Sequence, residues 1–375
     1  MEPAQSICEP NHLEQIIALK DEIIKLQKII IEKDEIIIKD KEIISDLRNK
    51  LKTNEIEKED FINKKSNTPS KDFNILDKEI IFKENGVKEF YTIYILKDGR
   101  LIAGDAGNNI IIYNQNNFQP EITIKESNYI IYLTQLKNGF VISLLGDGSI
   151  NIYKLLGKSK YSILQKIKAH SARVHKLRVL DDCDNRFMSC SDDCTIKFFF
   201  QDKNEYKEDY IFKEDLHIFN ILSTKEGEIV YSGYNSSNNT FIKFYDLKSR
   251  KIISSTNVKS LYNGLTDNLS KLCDTYLLVG GSNTILIFDV NQHKQIKEIE
   301  SNNSSCITSF LKLNEKILLT ADCNGNIKQW IIDEENLILE NVKLKAHNGQ
   351  IRMIRKNQDG LIITCSDDKS IKVWN

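Results

Sequence analysis

Two short stretches hold the residue types from which a catalytic site could be assembled. One contains His170, Ser189 and Asp193; the other contains His347, Thr364 and Asp368. A histidine oriented by an aspartate is a general base, and a neighbouring hydroxyl is then a nucleophile. A third place, Cys8 with His12, offers two zinc-ligand types, but no CxxC pair accompanies them to complete a four-ligand site. The chain carries no GxSxG, no HExxH, no phosphate-cradling glycine loop and no EF-hand run. No metal, no other cofactor and no enzymatic activity are therefore expected unless the two His-Asp sets prove catalytic. That depends on the elements that hold them.

Those elements repeat. A short β-branched run ending in an aromatic occurs seven times: IIIY to Tyr113, INIY to Tyr153, IKFF to Phe199, IKFY to Tyr245, ILIF to Phe288, IKQW to Trp330 and IKVW to Trp374. Successive copies lie 40 to 46 residues apart. Fourteen residues before the aromatic stand Gly99, Gly139, Asn185, Asp274, Lys316 and Gly360, mostly residues that turn a hairpin cheaply. The Tyr245 copy keeps Gly227 and lengthens its next loop with NSSNNT. Further back the chain is apolar at Phe90, Ile130, Val174, Ile218, Leu265, Ile307 and Ile351. Each unit is thus a strand, a turn, a second strand, a tight turn and a third strand. A period of this size carried by strands predicts an all-β ring of seven blades.

The stretches AHSARVHKLRV with SCSDDCTIKFF (169–199) and AHNGQIRMI with TCSDDKSIKVW (346–374) resemble full repeats of the WD-repeat (WD40) β-propeller family. The resemblance implies a buried hydrogen-bonded set in each: His170, Ser189 and Asp193 in one blade, and His347, Thr364, Asp368 and Trp374 in the other. Phe199 has no indole N–H, so the first set is at best a triad. The sixth unit keeps Trp330 but has Asn324 for the aspartate and Asn303 for the histidine. In this light both His-Asp sets are structural. The family also implies that an N-terminal strand closes the last blade, and ILDKEIIF (75–82) is the segment expected to pair with 370–374.

Upstream, Ile16, Ile23, Ile30, Ile37, Ile44 and Leu51 recur every seventh residue, with Leu19, Leu26 and Leu47 at the d positions. This predicts an α-helical coiled coil over 12–60. Lys33 and Asp40 interrupt the d file, and Ile17, Ile24, Ile31 and Ile38 widen the stripe, so both self-association and docking of a foreign helix fit. The expected organisation is a disordered start (1–11), the coiled coil (12–60), a linker (61–72) and the propeller (73–375).

The 375 residues carry a net charge of −1, and residues 12–65 hold 12 Lys or Arg against 13 Asp or Glu, which disfavours a nucleic-acid arm. No uncharged apolar run approaches membrane-spanning length, and MEPAQSICEP lacks the features of a signal peptide. No membrane partner and a cytoplasmic location are expected. Cys190, Cys323 and Cys365 read as one repeated strand position packing between blades, with Cys194 in a turn.

Function is then expected on the surface. If strand alternation holds, the residues flanking the first apolar position of each blade share the top rim. These are Tyr91, Tyr129, Arg173 with His175, His217 with Phe219, and Gln350 with Arg352, residue types that anchor protein interfaces. Gly264, Thr266, Cys306 and Thr308 leave the fifth and sixth blades poorer. The expected role is a non-enzymatic scaffold binding a protein or peptide partner. The alternative is a substrate receptor of a ubiquitin ligase, suggested only by the tetrapeptide YDLK at 245–248.

Overall fold

The computed structural model describes residues 80–85, 88–180, 186–203, 205–258, 268–301, 305–334 and 336–374. The N-terminal 1–11, the coiled coil of 12–60 with Ile16 to Leu51, and the linker of 61–72 lie outside the described residues.

Seven four-stranded antiparallel sheets follow one another in sequence, as the seven aromatics predict. Six are built from consecutive strands; blade one, for example, comprises Phe90–Ile95, Leu101–Asp105, Asn109–Tyr113 and Pro120–Lys125. The seventh joins Ile351–Lys356, Ile362–Ser366 and Ser370–Trp374 to Ile80–Asn85, so the ring closes on a strand from the N-terminal side. Residues 75–79 of the expected segment lie outside the described residues; the described pairing runs from Ile80 opposite Trp374 to Asn85 opposite Ser370, three residues past the expected end at 82. The alternation of ILDKEIIF ends at Phe82 and hides the polar half of the strand. An outer strand needs backbone pairing more than apolar side chains.

The repeat positions are where the pattern demands. Phe90, Ile130, Val174, Ile218, Ile307 and Ile351 are buried, as is every terminal aromatic from Tyr113 to Trp374. These side chains fill the spaces between neighbouring sheets. Two irregularities recur with the repeat. The outer strand carries one extra residue opposite each terminal aromatic, for example Glu121 opposite Tyr113 and Leu164 opposite Tyr153. Such a bulge kinks the free edge and makes it a poor template for a foreign strand. The first strand is also bulged immediately after its leading apolar residue, at Phe90/Thr92, Ile130/Tyr132, Val174/Lys176, Ile218/Asn220, Ile307/Ser309 and Ile351/Met353. This second bulge shapes the top face, the one that carries the starts of the first strands.

Candidate protein-binding surface

Five of the first strands are preceded by a described loop residue whose backbone N–H caps the tight turn of the previous blade. The donors are Glu126, His170, Glu214, Ser301 and His347; the acceptors are the carbonyls of Asn108, Gly148, Cys194, Asn283 and Gly325, at 2.8 to 3.0 Å. All five acceptors have positive φ, between 65° and 86°. The side chains of Glu126, His170, Glu214 and His347 then enter their own blades, whereas the Ser301 hydroxyl turns back to Asn283 Oδ1 at 3.3 Å. Where the donor is histidine, the expected polar chain forms. In blade seven His347 Nδ1 meets Asp368 Oδ2 at 2.9 Å, Nε2 meets Thr364 Oγ1 at 2.7 Å, and Trp374 Nε1 donates to the same hydroxyl at 2.9 Å. Because the Asp368 carboxylate only accepts, His347 carries a proton on Nδ1 facing it. Burial raises the Asp368 carboxyl, but the bonds from His347 and Ser370 outweigh it and hold the group well below the ordinary carboxylate range. Blade three repeats this with His170 Nδ1 3.0 Å from Asp193 Oδ2 and Nε2 2.8 Å from Ser189 Oγ, and Phe199 adds no donor. The imidazoles are fully buried. A nucleophile or base enclosed this way meets no substrate, so both sets hold blades together.

Blades two and four use a glutamate that the sequence reading missed. Buried Glu126 accepts from the Tyr153 hydroxyl and, at 2.8 Å, from Asn151 Nδ2, while Ser143 Oγ lies 3.0 Å from the same phenol. Glu214 accepts from the Tyr231 hydroxyl at 3.1 Å and pairs with Lys243. Burial, then the neighbouring glutamate, pushes each tyrosine well above its usual range, so both phenols stay protonated donors. The signal was present: Glu126 and Glu214 stand at the histidine's position once the four extra loop residues before Tyr245 are allowed for. In blade six the capping residue is Ser301, Asn303 lies outside the described residues, and Trp330 Nε1 donates to Thr320 Oγ1 at 2.9 Å.

On the top face the structure brings together four of the expected residues in one strip across blades seven, one, two and three. Arg352 lies 5.1 Å from the Tyr91 ring centroid and is fixed by two 2.7 Å contacts to Asp367. The Tyr91 and Tyr129 rings meet edge to face at 6.1 Å and 85°. Exposed Arg173 lies 5.9 Å from the Tyr129 ring centroid. The Tyr129 ring rests on Gly146, where a Cβ would collide with it. Half-buried Gln350 begins blade seven, its carbonyl accepting from Asp367 N–H at 3.0 Å. Beyond Arg173, His217 donates to the Asp192 carbonyl at 2.7 Å and stacks on Tyr234 at 5.0 Å.

Two expected surface residues are interior. His175 is only 8% exposed, with Nε2 2.8 Å from Asp192 Oδ1, and Phe219 is 3% exposed, near Tyr234. Thr308, on blade six, is fully buried as well. All three occupy the bulge after the leading apolar residue, where simple alternation does not apply. Tyr91 and Arg352 stand at the same bulge and remain partly exposed, so the position points inward or outward according to its neighbours. Gly264, Thr266 and Leu265 lie outside the described residues. Cys190 and Cys365 are buried at one repeated position, whereas Cys323 falls two residues later, at the rim position of Asp192 and Asp367, and is half-buried. Among the described residues no group of three or more His, Cys, Asp or Glu is placed to hold a metal, and no helix is long and apolar enough to cross a membrane.

The WD domain, G-beta repeat family model matches residues 161–199 and 340–375. Each match begins on the outer strand of one blade and runs through the third strand of the next, so it covers the two histidine blades. A search among curated proteins finds no match to the chain.

Proposed function

We propose that this seven-bladed WD40 propeller is a non-enzymatic interaction scaffold that binds a protein or peptide along the strip from Arg352 to Arg173, continued by His217 and Tyr234. The observation that carries the reading is the unbroken sequence guanidinium, ring, ring, guanidinium across four adjacent blades. Tyrosine presents large contact area with few rotatable bonds, and tyrosine and arginine are enriched among the residues that dominate interface energetics. Arg352 is already ordered by Asp367, so little freedom is lost when a partner covers it.

The segment 12–60 is proposed to present the propeller by self-association or by docking on a foreign helix, which raises avidity for a repeated partner without new contacts. The proposed setting is the cytoplasm. Light scattering on the full chain and on one lacking residues 1–65 tests the first arm: a monomer at every concentration in both rules out self-association.

The binding reading is tested by combining Tyr91→Ala, Tyr129→Ala and Arg173→Ala, none of which removes a leading apolar residue. The triple variant is expected to stay folded by circular dichroism and to lose the partners recovered with the wild type by proximity labelling. Ser282→Ala with Asn324→Ala, both exposed on blades five and six, should keep them. A folded triple variant with its partners retained moves the site elsewhere. Recovery of a ligase adaptor with the wild type would instead favour the substrate-receptor reading.

A further inference from the structure

Two half-buried cysteines stand at opposed strand ends on the top rim of blade six. Cys306 directly precedes the first strand, Ile307–Lys312, and Cys323 directly follows the second, Ile317–Asp322. Ile307 pairs with Asp322, so the next step outward sets Cys306 opposite Cys323, and the Cys323 N–H donates to the Cys306 carbonyl at 3.0 Å. Directly opposed residues of a hydrogen-bonded antiparallel pair have Cα atoms about 5.5 Å apart. A disulfide spans Cα separations of about 4.4 to 6.8 Å. Both side chains are half-buried, and Cys306 Sγ donates to Ser282 Oγ of blade five at 3.6 Å, which keeps that thiol at the rim.

The other described cysteines contrast with this pair. Cys190 and Cys365 are enclosed, and burial pushes each thiol up to about 12. Cys194 is raised by burial and then by the carboxylates of Asp193, Asp192, Asp215 and Glu214. Cys273 is exposed in the turn between the first two strands of blade five.

We propose that Cys306 and Cys323 form a reversible dithiol site that exchanges with low-molecular-weight disulfides, glutathione disulfide being the probe, and closes to a disulfide across blade six. One cysteine, as thiolate, attacks a sulfur of glutathione disulfide, forming a mixed disulfide and releasing one glutathione thiolate. The other cysteine, deprotonated in turn, attacks the protein-side sulfur and expels the second glutathione. The protein loses two protons and two electrons; the electrons reduce one small disulfide to two thiols, which take up the two protons. The pair occupies the rim positions held by Arg173 with Asp192 in blade three and by Gln350 with Asp367 in blade seven, so oxidation stiffens the part of the top face beyond the aromatic strip. The proposal stands independently of what binds that strip.

The full chain is incubated with glutathione disulfide at about pH 8, near a thiol's ordinary pKa, until exposed Cys273 is converted. It is then alkylated without reductant and digested with trypsin. Cleavage after Lys297, Lys312, Lys316 and Lys328 leaves the two cysteines on separate peptides, 298–312 and 317–328. These are expected to be recovered joined, two hydrogens lighter than the separate thiol peptides, and to part on reduction. In Cys306→Ser, peptide 317–328 should instead carry one glutathione. Modified Cys273 with the two wild-type peptides unlinked overturns the proposal, whether their thiols are alkylated or each carries glutathione.

Discussion

Blades three and seven fill the loop position that enters the blade with histidine, whereas blades two and four fill it with glutamate, and the backbone around that position is the same. In all four the residue caps the previous blade's turn through its N–H. With histidine, the carboxylate sits at the end of the chain: Asp193 and Asp368 are about a tenth exposed, whereas the imidazoles are enclosed. With glutamate, the carboxylate itself is inside, so stronger donors must surround it. Blade two supplies Tyr153 and Asn151, and blade four supplies Tyr231 and Lys243. The repeat therefore prescribes where a polar group must stand but leaves open which chemistry satisfies it. Blades one and five, with Ala103 and Leu278 at the hydroxyl position, do without that link.

The sharpest difference lies in the turn beneath the loop. Only Gly148 and Gly325 precede histidine blades, and a Cβ on either would collide with the carbonyl of the following histidine. Asn108 and Cys194 precede the glutamate blades and carry side chains at the same positive φ. Gly325→Ala should thus incur both the left-handed penalty, roughly 1–2 kcal/mol, and an overpacking cost of roughly 1–3 kcal/mol. Cys194→Gly should be near neutral. Equal melting temperatures for the two variants would mean that the histidine loops are no tighter than the glutamate ones.

Glu126→Ala removes a buried acceptor, which leaves Asn151 Nδ2 unsatisfied at roughly 1–3 kcal/mol and Tyr153 with Ser143 as its remaining partner. Asp368→Ala removes the acceptor of His347 Nδ1, the Ser370 hydroxyl and the N–H groups of Asn348 and Ser370, but this end of the chain is partly exposed and water can replace the carboxylate, so its cost should be smaller, roughly 1–3 kcal/mol in all. Urea denaturation of the two variants ranks them, and the reverse order would show that the histidine chain bears more of the stability than the buried glutamate.

Much of the ring was legible because its signals are set by backbone geometry: the aromatics recur where the outer strand bulges, and turn residues mark the hairpins. The polar interior was legible only where the residue type was histidine, since Glu126 and Glu214 look like ordinary surface charges in a sequence. The top face was half legible. Tyr91, Tyr129, Arg173 and Arg352 meet as expected, but a bulge adds a residue without any compositional mark, and that extra residue turned His175, Phe219 and Thr308 inward. Cys323 is separable by count alone: Cys190 and Cys365 stand nine residues before Phe199 and Trp374, whereas Cys323 stands seven before Trp330.

Acid separates the carboxylates' roles. A carboxyl whose folded value lies below its unfolded one stabilises the fold fully above the unfolded value, about 3.9 for aspartate. That contribution drains away as pH falls from there toward the folded value. Asp368 is held low in this way. Asp368→Asn should therefore melt below the wild type at pH 7, and the gap should narrow below about pH 4. A gap that stays constant down to pH 3 would place its origin in shape and not in charge.

The smallest effect concerns the terminal aromatic, at which the two histidine blades differ in donor capacity. Trp374 donates to Thr364, while Phe199 stacks on Phe187 at 4.8 Å and leaves Ser189 without an indole donor. Trp374→Phe deletes one buried hydrogen bond worth about 0.5–1.5 kcal/mol and some ring volume. Phe199→Trp offers the missing donor, but it must fit a larger ring beside Phe187 and Tyr206, and overpacking offsets the gain. The expected outcome is a modest loss in blade seven and a change near zero in blade three, read as melting temperatures at neutral pH. If Phe199→Trp stabilises as much as Trp374→Phe destabilises, blade three has room for the full tetrad. If Trp374→Phe changes nothing, His347, Thr364 and Asp368 suffice on their own, and the indole serves packing alone.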